Sequence, residues 1–194
     1  MQKSLRILLA EDESIILMGL KSNIEKLGHR VIGQAFDGVE AVKLALKKEP
    51  DLLIIDINMP KMDGIEALKR INNQKFIPAI VVTGYNNEKL INRASKAGAF
   101  AYLIKPVDSN DIKPAINIAR ARFEEFKKLL SDLDDSKKAL EARKIIERAK
   151  GIVMDRKNIK EKEAMKFLQK KSNDHNKKMI KIAKEIIEAD QKFK

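Results

Sequence analysis

The sequence predicts an α/β domain built on a five-stranded parallel sheet, followed by an all-helical region. Three observations lead there. Short apolar bursts alternate with amphipathic stretches over roughly the first 120 residues. Two of those bursts, residues 52–55 and 79–82, are apolar at every position, as strands buried on both faces must be. All five prolines and seven of the eight glycines precede residue 123, and Gly151 is the only residue of either type after Pro114. Turns therefore belong to the first piece, and nearly unbroken helix to the second.

The elements follow in order. Residues 5–10, 30–35, 52–55, 79–82 and 99–104 read as strands. Residues 14–27, 39–48, 65–73, 87–97 and those from 111 onward read as helices. Gly28 and Gly98 stand where a glycine just past a helix end belongs, and Asp37 can cap the second helix. Five βα units make an open sheet with helices on both faces. Such sheets bind ligands outside the carboxyl ends of their strands.

Pro114 suits the first turn of the last of these helices. From there Ile112, Ile116, Ala119, Phe123, Phe126, Leu130, Leu133, Lys137 and Leu140 alternate steps of four and three, and eight of the nine are apolar. That is a heptad seam. Its first half has the sheet to cover, up to about Arg122. Beyond it, Phe123, Phe126, Leu130 and Leu133 have no sheet left, so a coiled coil pairing two copies of the chain is expected. Lys137 interrupts the seam, and Asp132, Asp134 and Asp135 mark a candidate break.

After Leu140 the apolar phase shifts to Ala142, Ile145, Ile146, Ala149, Ile152 and Val153. Helices over residues 160–171 and 176–189 add facing stripes, the latter capped by Asn173 or Asp174. A three-helix bundle results. The expected divisions are 1–122 for the α/β domain, 123–138 for the coil and 139–194 for the bundle.

Composition excludes several function classes. Among 194 residues there is no Cys and no Trp, and the only histidines are His29 and His175. Disulfides, thiolate metal sites and thiol nucleophiles are impossible, and a multi-histidine zinc site or a Ser-His-Asp triad is not expected. No apolar run approaches the ~18 residues of a membrane span, and residues 7–10 are too short for a signal peptide. No membrane partner is expected, and the expected setting is cytoplasmic. The formal charge of +12 points to an anionic partner. Residues 1–122 hold 19 basic and 14 acidic residues, a net +5, whereas residues 123–194 hold 21 and 14, a net +7.

The strand ends carry the chemistry. Glu11 and Asp12 end the first strand, Asp56 the third, Thr83 the fourth and Lys105-Pro106 the fifth. Three converging carboxylates repel unless a cation joins them. Their oxygens suit Mg²⁺ or Mn²⁺. A hard dication beside a lysine and a hydroxyl suits phosphoryl groups, with the carboxylate on the central strand as nucleophile. Pro60 and Gly64 fix the loop just after Asp56.

In Glu11-Asp12, Asp56 with Met59-Pro60 and Asp63-Gly64, Thr83-Gly84, Tyr102 and Lys105-Pro106, the sequence resembles the receiver domain of two-component response regulators. Glu11 stands where that family often has Asp. The resemblance covers residues 4–122 and implies a flavodoxin-like doubly wound fold. It implies that Asp56 accepts a phosphoryl group from a sensor histidine kinase. It implies that Glu11, Asp12, Asp56 and the backbone carbonyl of Asn58 hold Mg²⁺, that Thr83 and Lys105 contact the phosphoryl oxygens, and that Tyr102 is a switch aromatic. Asn58 and Tyr85 would tune hydrolysis. The only catalysis implied is phosphoryl transfer to, and hydrolysis from, the chain's own Asp56.

The bundle is strongly basic. Arg143 and Lys150 share a helix face with Met154. Lys170-Lys171 closes the second bundle helix, where cations offset the helix dipole, but Lys177-Lys178 opens the third, where they do not. An external anion would explain the latter. Gly151 inside a helix costs about 1 kcal/mol relative to Ala, so a close neighbour, a ligand or an early helix end is expected there. The run from Glu141 to Met154, with Ala149-Lys150-Gly151 at its centre, then Glu163-Ala164, Phe167-Leu168, Ser172, Ile182-Ala183 and Ile186, resembles the ANTAR domain of antitermination regulators. That resemblance implies binding to paired hairpins in leader messenger RNA, so that a terminator cannot form. The expected contacts are Arg143, Lys150, Lys171 and Lys178, with Arg148 and Lys144 next. Phe167 reads as core, so base stacking on aromatics is not the main mode. The resulting expectation is a regulator that dimerises when phosphorylated and binds two hairpins at once. DNA binding, or protein docking in a phosphorelay, are the alternatives.

Overall fold

The computed structural model describes residues 4–84 and 88–191. It divides into two compact units, Met1–Lys127 and Lys128–Lys194.

In the first unit, β1 (Arg6–Ala10), β2 (Arg30–Ala35), β3 (Leu52–Asp56), β4 (Ala79–Thr83) and β5 (Ala99–Ile104) form one sheet of order β2-β1-β3-β4-β5. All four pairings are parallel. The helices between them are α1 (Ser14–Lys26), α2 (Gly38–Lys48), α3 (Gly64–Asn72) and α4 (Glu88–Lys96). Strand alternation sends side chains to two cores. Leu8, Leu53, Ile55 and Val81 face α2, α3 and α4, where Ala41, Ala45, Ile65, Leu68 and Ala94 meet them. Ile7, Leu9, Ile54, Ile80 and Val82 face α1 and α5 (Ser109–Lys157), where Leu20, Ile24, Ile112, Ile116 and Ala119 meet them. Both faces are covered, which is why β3 and β4 carry no polar residue before their last position. Those last positions, Asp56 and Thr83, are themselves buried.

Local signals set the element ends. Asp37 caps α2 by accepting from the Glu40 amide at 2.7 Å. Gly28 (φ +82) and Gly98 (φ +100) occupy the left-handed conformation past α1 and α4. Asp108 starts α5 early: its carboxylate accepts from the amides of Asn110 (2.6 Å) and Asp111 (3.2 Å). Pro114 therefore falls in the second turn rather than the first.

Three expectations about the helical region change. α5 runs unbroken past Asp132, Asp134 and Asp135, which cap nothing because their neighbours keep helical partners. Gly151 lies inside α5, yet a Cβ there would meet nothing within 4 Å. Neither close packing nor a helix end accounts for it. Asn173 and Asp174 close α6 (Glu161–Asp174) instead of capping α7 (Met179–Gln191). Asn176 takes the left-handed turn at φ +49, as Asn158 does after α5 at φ +53; Asn tolerates that region better than most residues.

The first unit extends past residue 122 because Phe123 and Phe126 find partners within it. Phe76 stacks on Phe126 with ring centroids 4.8 Å apart and lies 6.0 Å from Phe123. Phe100 stands 5.7 Å from Phe123. The heptad pattern alone leaves these two seam residues bare beyond the sheet. Instead the loop after α3 and the start of β5 supply a surface for them. From residue 128 to 141 every position is exposed, with Leu130 at 47% and Leu133 at 51%.

The second unit has its own core. Ala149 and Val153 of α5, Ala164 and Leu168 of α6, and Ile182 and Ala183 of α7 are buried together. Ser172 ties the α6–α7 connection by donating to the Lys177 carbonyl at 2.5 Å.

Candidate functional site

At the carboxyl edge of the sheet, β1, β3, β4 and β5 end side by side. Glu11 (1% exposed), Asp56 (3%) and Thr83 (1%) are buried there. Asp12 is exposed. One carboxylate oxygen from each of Glu11, Asp12 and Asp56 lies within 4.8 Å of the others. The Lys105 ammonium reaches in from the end of β5. It donates to Asp56 Oδ2 at 2.7 Å and to Glu11 Oε1 at 3.0 Å. Glu11 Oε2 lies 2.9 Å from the same nitrogen but has no directed hydrogen bond, although it is fully buried.

The electrostatics follow from that packing. Burial pushes the Glu11 carboxyl above its usual range, with help from Asp56, while the Lys105 hydrogen bond works the other way. Burial alone would lower the Lys105 pKa, but its hydrogen bonds to Asp56 and Glu11 outweigh that and raise it. Three carboxylates against one ammonium leave the cluster anionic. An anionic, all-oxygen set with an unsatisfied buried carboxylate oxygen fits a hard divalent cation.

The loop after β3 is held from several sides. Gly64 donates to the Ile57 carbonyl at 2.9 Å and Ile57 to the Val82 carbonyl at 3.1 Å. A Cβ on Gly64 would run into the Asp56 carbonyl oxygen. Asn58 is exposed, and its amide approaches Asp56 Oδ1 at 3.4 Å. Lys61 donates to Asp37 Oδ2 at 2.5 Å. That hydrogen bond holds the Asp37 carboxyl below its ordinary value and the Lys61 ammonium above its own. Tyr102 is 49% exposed at a cleft of about 420 Å³ that Ile91, Leu103 and Ile118 also line.

The second unit presents its cations unevenly. Lys150 is nearly buried, its ammonium 2.6 Å from both Glu147 and Glu161. Lys177 pairs with Glu185 at 2.6 Å, and Arg156 with Asp190 at 2.7 Å. Arg143 and Lys178 are exposed, and Lys171 is half-buried.

Comparison with known proteins decides the family. The response regulator receiver domain matches residues 7–117, and the ANTAR domain matches residues 134–187. The chain belongs to the two-component response regulators that join a receiver domain to an ANTAR domain. It is 39% identical to the transcriptional regulatory protein PdtaR of Mycobacterium tuberculosis, across 94% of this chain and 89% of that one. Its receiver is 36% identical to the chemotaxis protein CheY of Thermotoga maritima, over 58% of this chain and 94% of that protein. Among solved structures, the receiver domain of AraT from Geobacillus stearothermophilus superposes with a TM-score of 0.57 at 29% identity, covering 64% of this chain and 99% of that chain. A chain of the CheX–CheY–BeF3–Mg²⁺ complex from Borrelia burgdorferi gives 0.56 at 28%, covering 57% and 85%.

As a response regulator, the chain carries a phosphoacceptor domain, and its sheet edge holds the acidic pocket by which receivers bind Mg²⁺. Glu11, Asp12, Asp56, Thr83 and Lys105 share that edge, as their strand-end positions predict. Tyr102 stands on the neighbouring cleft. Tyr85 lies outside the described residues. Among the described residues, no helix is long and apolar enough to cross a membrane.

In the ANTAR unit the structure adds partners to Lys150. Its position on the Arg143 face suggests an open cation, but two glutamates claim its ammonium and it ties α5 to α6. Glu161 lies eleven residues on, beyond any one-helix pattern, so a helical wheel does not find it. The Asp37–Lys61 contact is hidden for the same reason: twenty-four residues separate the partners. Asp37-Gly38 announces a cap, and nothing local announces the lysine.

Proposed function

We propose that this response regulator is an RNA-binding antiterminator switched by phosphorylation of Asp56. The observation that supports the switch is the buried Asp56 carboxylate, hydrogen-bonded to Lys105 at 2.7 Å beside Glu11 and Asp12. The ANTAR match supports RNA as the target.

In this reading the Asp56 carboxylate attacks the phosphorus of a phosphohistidine on a sensor kinase. The P–N bond breaks, a P–O bond forms, and the histidine nitrogen leaves. Lys105, already donating to Asp56, shifts its hydrogen bonds to the phosphoryl oxygens. The Thr83 hydroxyl contacts another of them, and Tyr102 turns from solvent into the space that Thr83 vacates. Glu11, Asp12, Asp56 and the Asn58 carbonyl would hold Mg²⁺ or Mn²⁺, which supplies charge neutralisation for the phosphoryl oxygens when bound. The Mg²⁺ of the Borrelia complex supports that choice. Water later attacks the acyl phosphate and restores Asp56. Asn58 and Tyr85 tune that step.

Phosphorylation then favours pairing of two chains through the exposed stretch that holds Leu130 and Leu133. Two ANTAR domains engage two hairpins of a leader messenger RNA, and effective concentration raises the affinity of the second contact. Arg143, Lys171 and Lys178 are proposed RNA contacts.

The test compares wild type with Asp56→Asn, with and without acetyl phosphate and Mg²⁺. Mass is read by light scattering, and binding by mobility shift on a panel of two-hairpin RNAs. Wild type is expected to dimerise and bind at least ~10-fold more tightly on phosphorylation, a difference of about 1.4 kcal/mol. Asp56→Asn is expected to do neither. A variant that dimerises and binds as well as the phosphorylated wild type sinks the switch. Equal competition by duplex DNA at fixed salt favours the DNA-binding alternative.

A further inference from the structure

The ANTAR unit has two basic sides, and they differ in where the carboxylates and apolar side chains stand. Between α5 and α6 runs a groove of about 740 Å³ lined by Lys150, Lys160, Lys162 and Lys166. Its nearly buried ammonium is neutralised twice, and both carboxylates, Glu147 and Glu161, line the same groove. A phosphate entering there meets those two carboxylates beside three lysines that have no ion pair among the described residues, Lys160, Lys162 and Lys166.

The other groove lies between α5 and α7. Its volume is about 300 Å³, and it is lined by Lys144, Ile145, Arg148, Lys184, Ile187 and Glu188. Lys144 pairs with Glu141 at 3.1 Å. Arg148 and Lys184 are exposed and have no ion pair among the described residues. Arg148 follows Lys144 by one helical turn, and lies about 100° around α5 from Glu147 and about 160° from Lys150. The floor is apolar and firm, because Ile145 and Ile187 are half-buried and pack on the bundle core.

The occupant follows from that chemistry. Two free cations on the walls ask for an anion. A planar guanidinium suits a phosphate in particular. Two isoleucines below ask for an apolar face. A volume at the small end of ligand pockets matches one such group. Single-stranded nucleotides in RNA loops, with bases splayed out, combine those features. Glu188 on the rim disfavours a second phosphate and offers an acceptor to a ribose hydroxyl or an amino group of a base.

We propose that the groove between α5 and α7 takes an unpaired loop nucleotide of the RNA, its phosphate on Arg148 and Lys184 and its base over Ile145 and Ile187. This rests on the RNA reading above and relocates its centre: Lys150 becomes a positioning residue that holds α6, and the open side of α5 carries the contact.

The experiment uses the full chain with acetyl phosphate and Mg²⁺. An RNA pool with two fixed stems and randomised loops is enriched on wild type. Binding of the enriched RNA is then measured across a KCl series. Arg148→Ala and Lys184→Ala are each expected to weaken binding about 10-fold and to flatten the log–log salt slope by about 0.7 for each phosphate no longer bound. Lys162→Ala with Lys166→Ala is expected to change affinity less than about 2-fold, within the range of a rim contact. Photocrosslinking of wild type, read by mass spectrometry, should label peptides containing Ile145 or Ile187, and it decides the matter even where a variant fails to fold. If wild type enriches no RNA, the RNA reading fails and the groove with it. If wild type binds RNA but the loss falls on the Lys162 and Lys166 pair, or the crosslinks map to α6, only the groove is overturned. Equal binding of duplex DNA overturns the loop nucleotide as occupant.

Discussion

At the scale of single residues, His29 shows how burial turns a common side chain into a pH-dependent part. It is 7% exposed, and its Nδ1 accepts a hydrogen bond from the Leu5 amide at 3.3 Å. Burial first, and Arg120 second, lower its pKa below the ordinary 6.5. The unfolded chain therefore takes up the proton at a higher pH than the folded one. The stability this histidine contributes is complete above about pH 6.5 and is lost as pH falls through the lower folded value. Thermal melts of the receiver unit between pH 7 and 5 should show that decline, and His29→Gln should flatten it. An unchanged slope in the variant would assign the decline to carboxylates instead. Lys105 operates by the same physics with opposite sign. Its two carboxylate partners outweigh its burial, so it stays an ammonium throughout the working range.

At the scale of elements, the aromatic group of Phe76, Phe100, Phe123 and Phe126 decides where α5 leaves the receiver. Three separate segments contribute rings, and the centroid separations of 4.8 to 6.1 Å are those of interacting pairs. Phe76 touches the other three. Phe76→Ala should destabilise the receiver unit by about 1–3 kcal/mol, less than a fully buried Phe because it is 37% exposed. Denaturant melts would measure this, and a change under about 0.5 kcal/mol would mean the rings only share solvent-excluded space. The heptad pattern makes Phe123 and Phe126 look like part of a pairing seam. Periodicity identifies an apolar face correctly and is silent about what covers it.

At the scale of the whole molecule, the seam that remains open lies further along α5. Leu130, Leu133 and Leu140 are 47–54% exposed. Testing dimerisation with Phe126→Lys would confuse pairing with receiver stability. Leu130→Lys with Leu133→Lys avoids that, since neither touches the receiver core. This variant should accept phosphate at Asp56 as wild type does and remain a monomer by light scattering. Its RNA affinity should fall about 10-fold or more as avidity is lost. A dimer that persists in the variant would place the pairing surface elsewhere.

Much of this molecule is legible in the sequence, and the reasons are local. Continuous apolar bursts, helix caps at Asp37 and Gly28, and the near-confinement of proline and glycine to the first 114 or so residues fix strands, helices and their order. Because parallel strands all end at one edge, the same reading places Glu11, Asp12, Asp56, Thr83 and Lys105 together before any coordinate is known. What tertiary structure alone decided are pairings across long sequence separations. Lys61 found Asp37, Phe76 found Phe126, and Lys150 found Glu161. A helix or strand period describes which way a side chain points, and the partner waiting there is supplied by another segment. So the sequence could say that the ANTAR unit is basic, while only the fold could say which of its cations, Lys150 and Lys177 among them, are already neutralised.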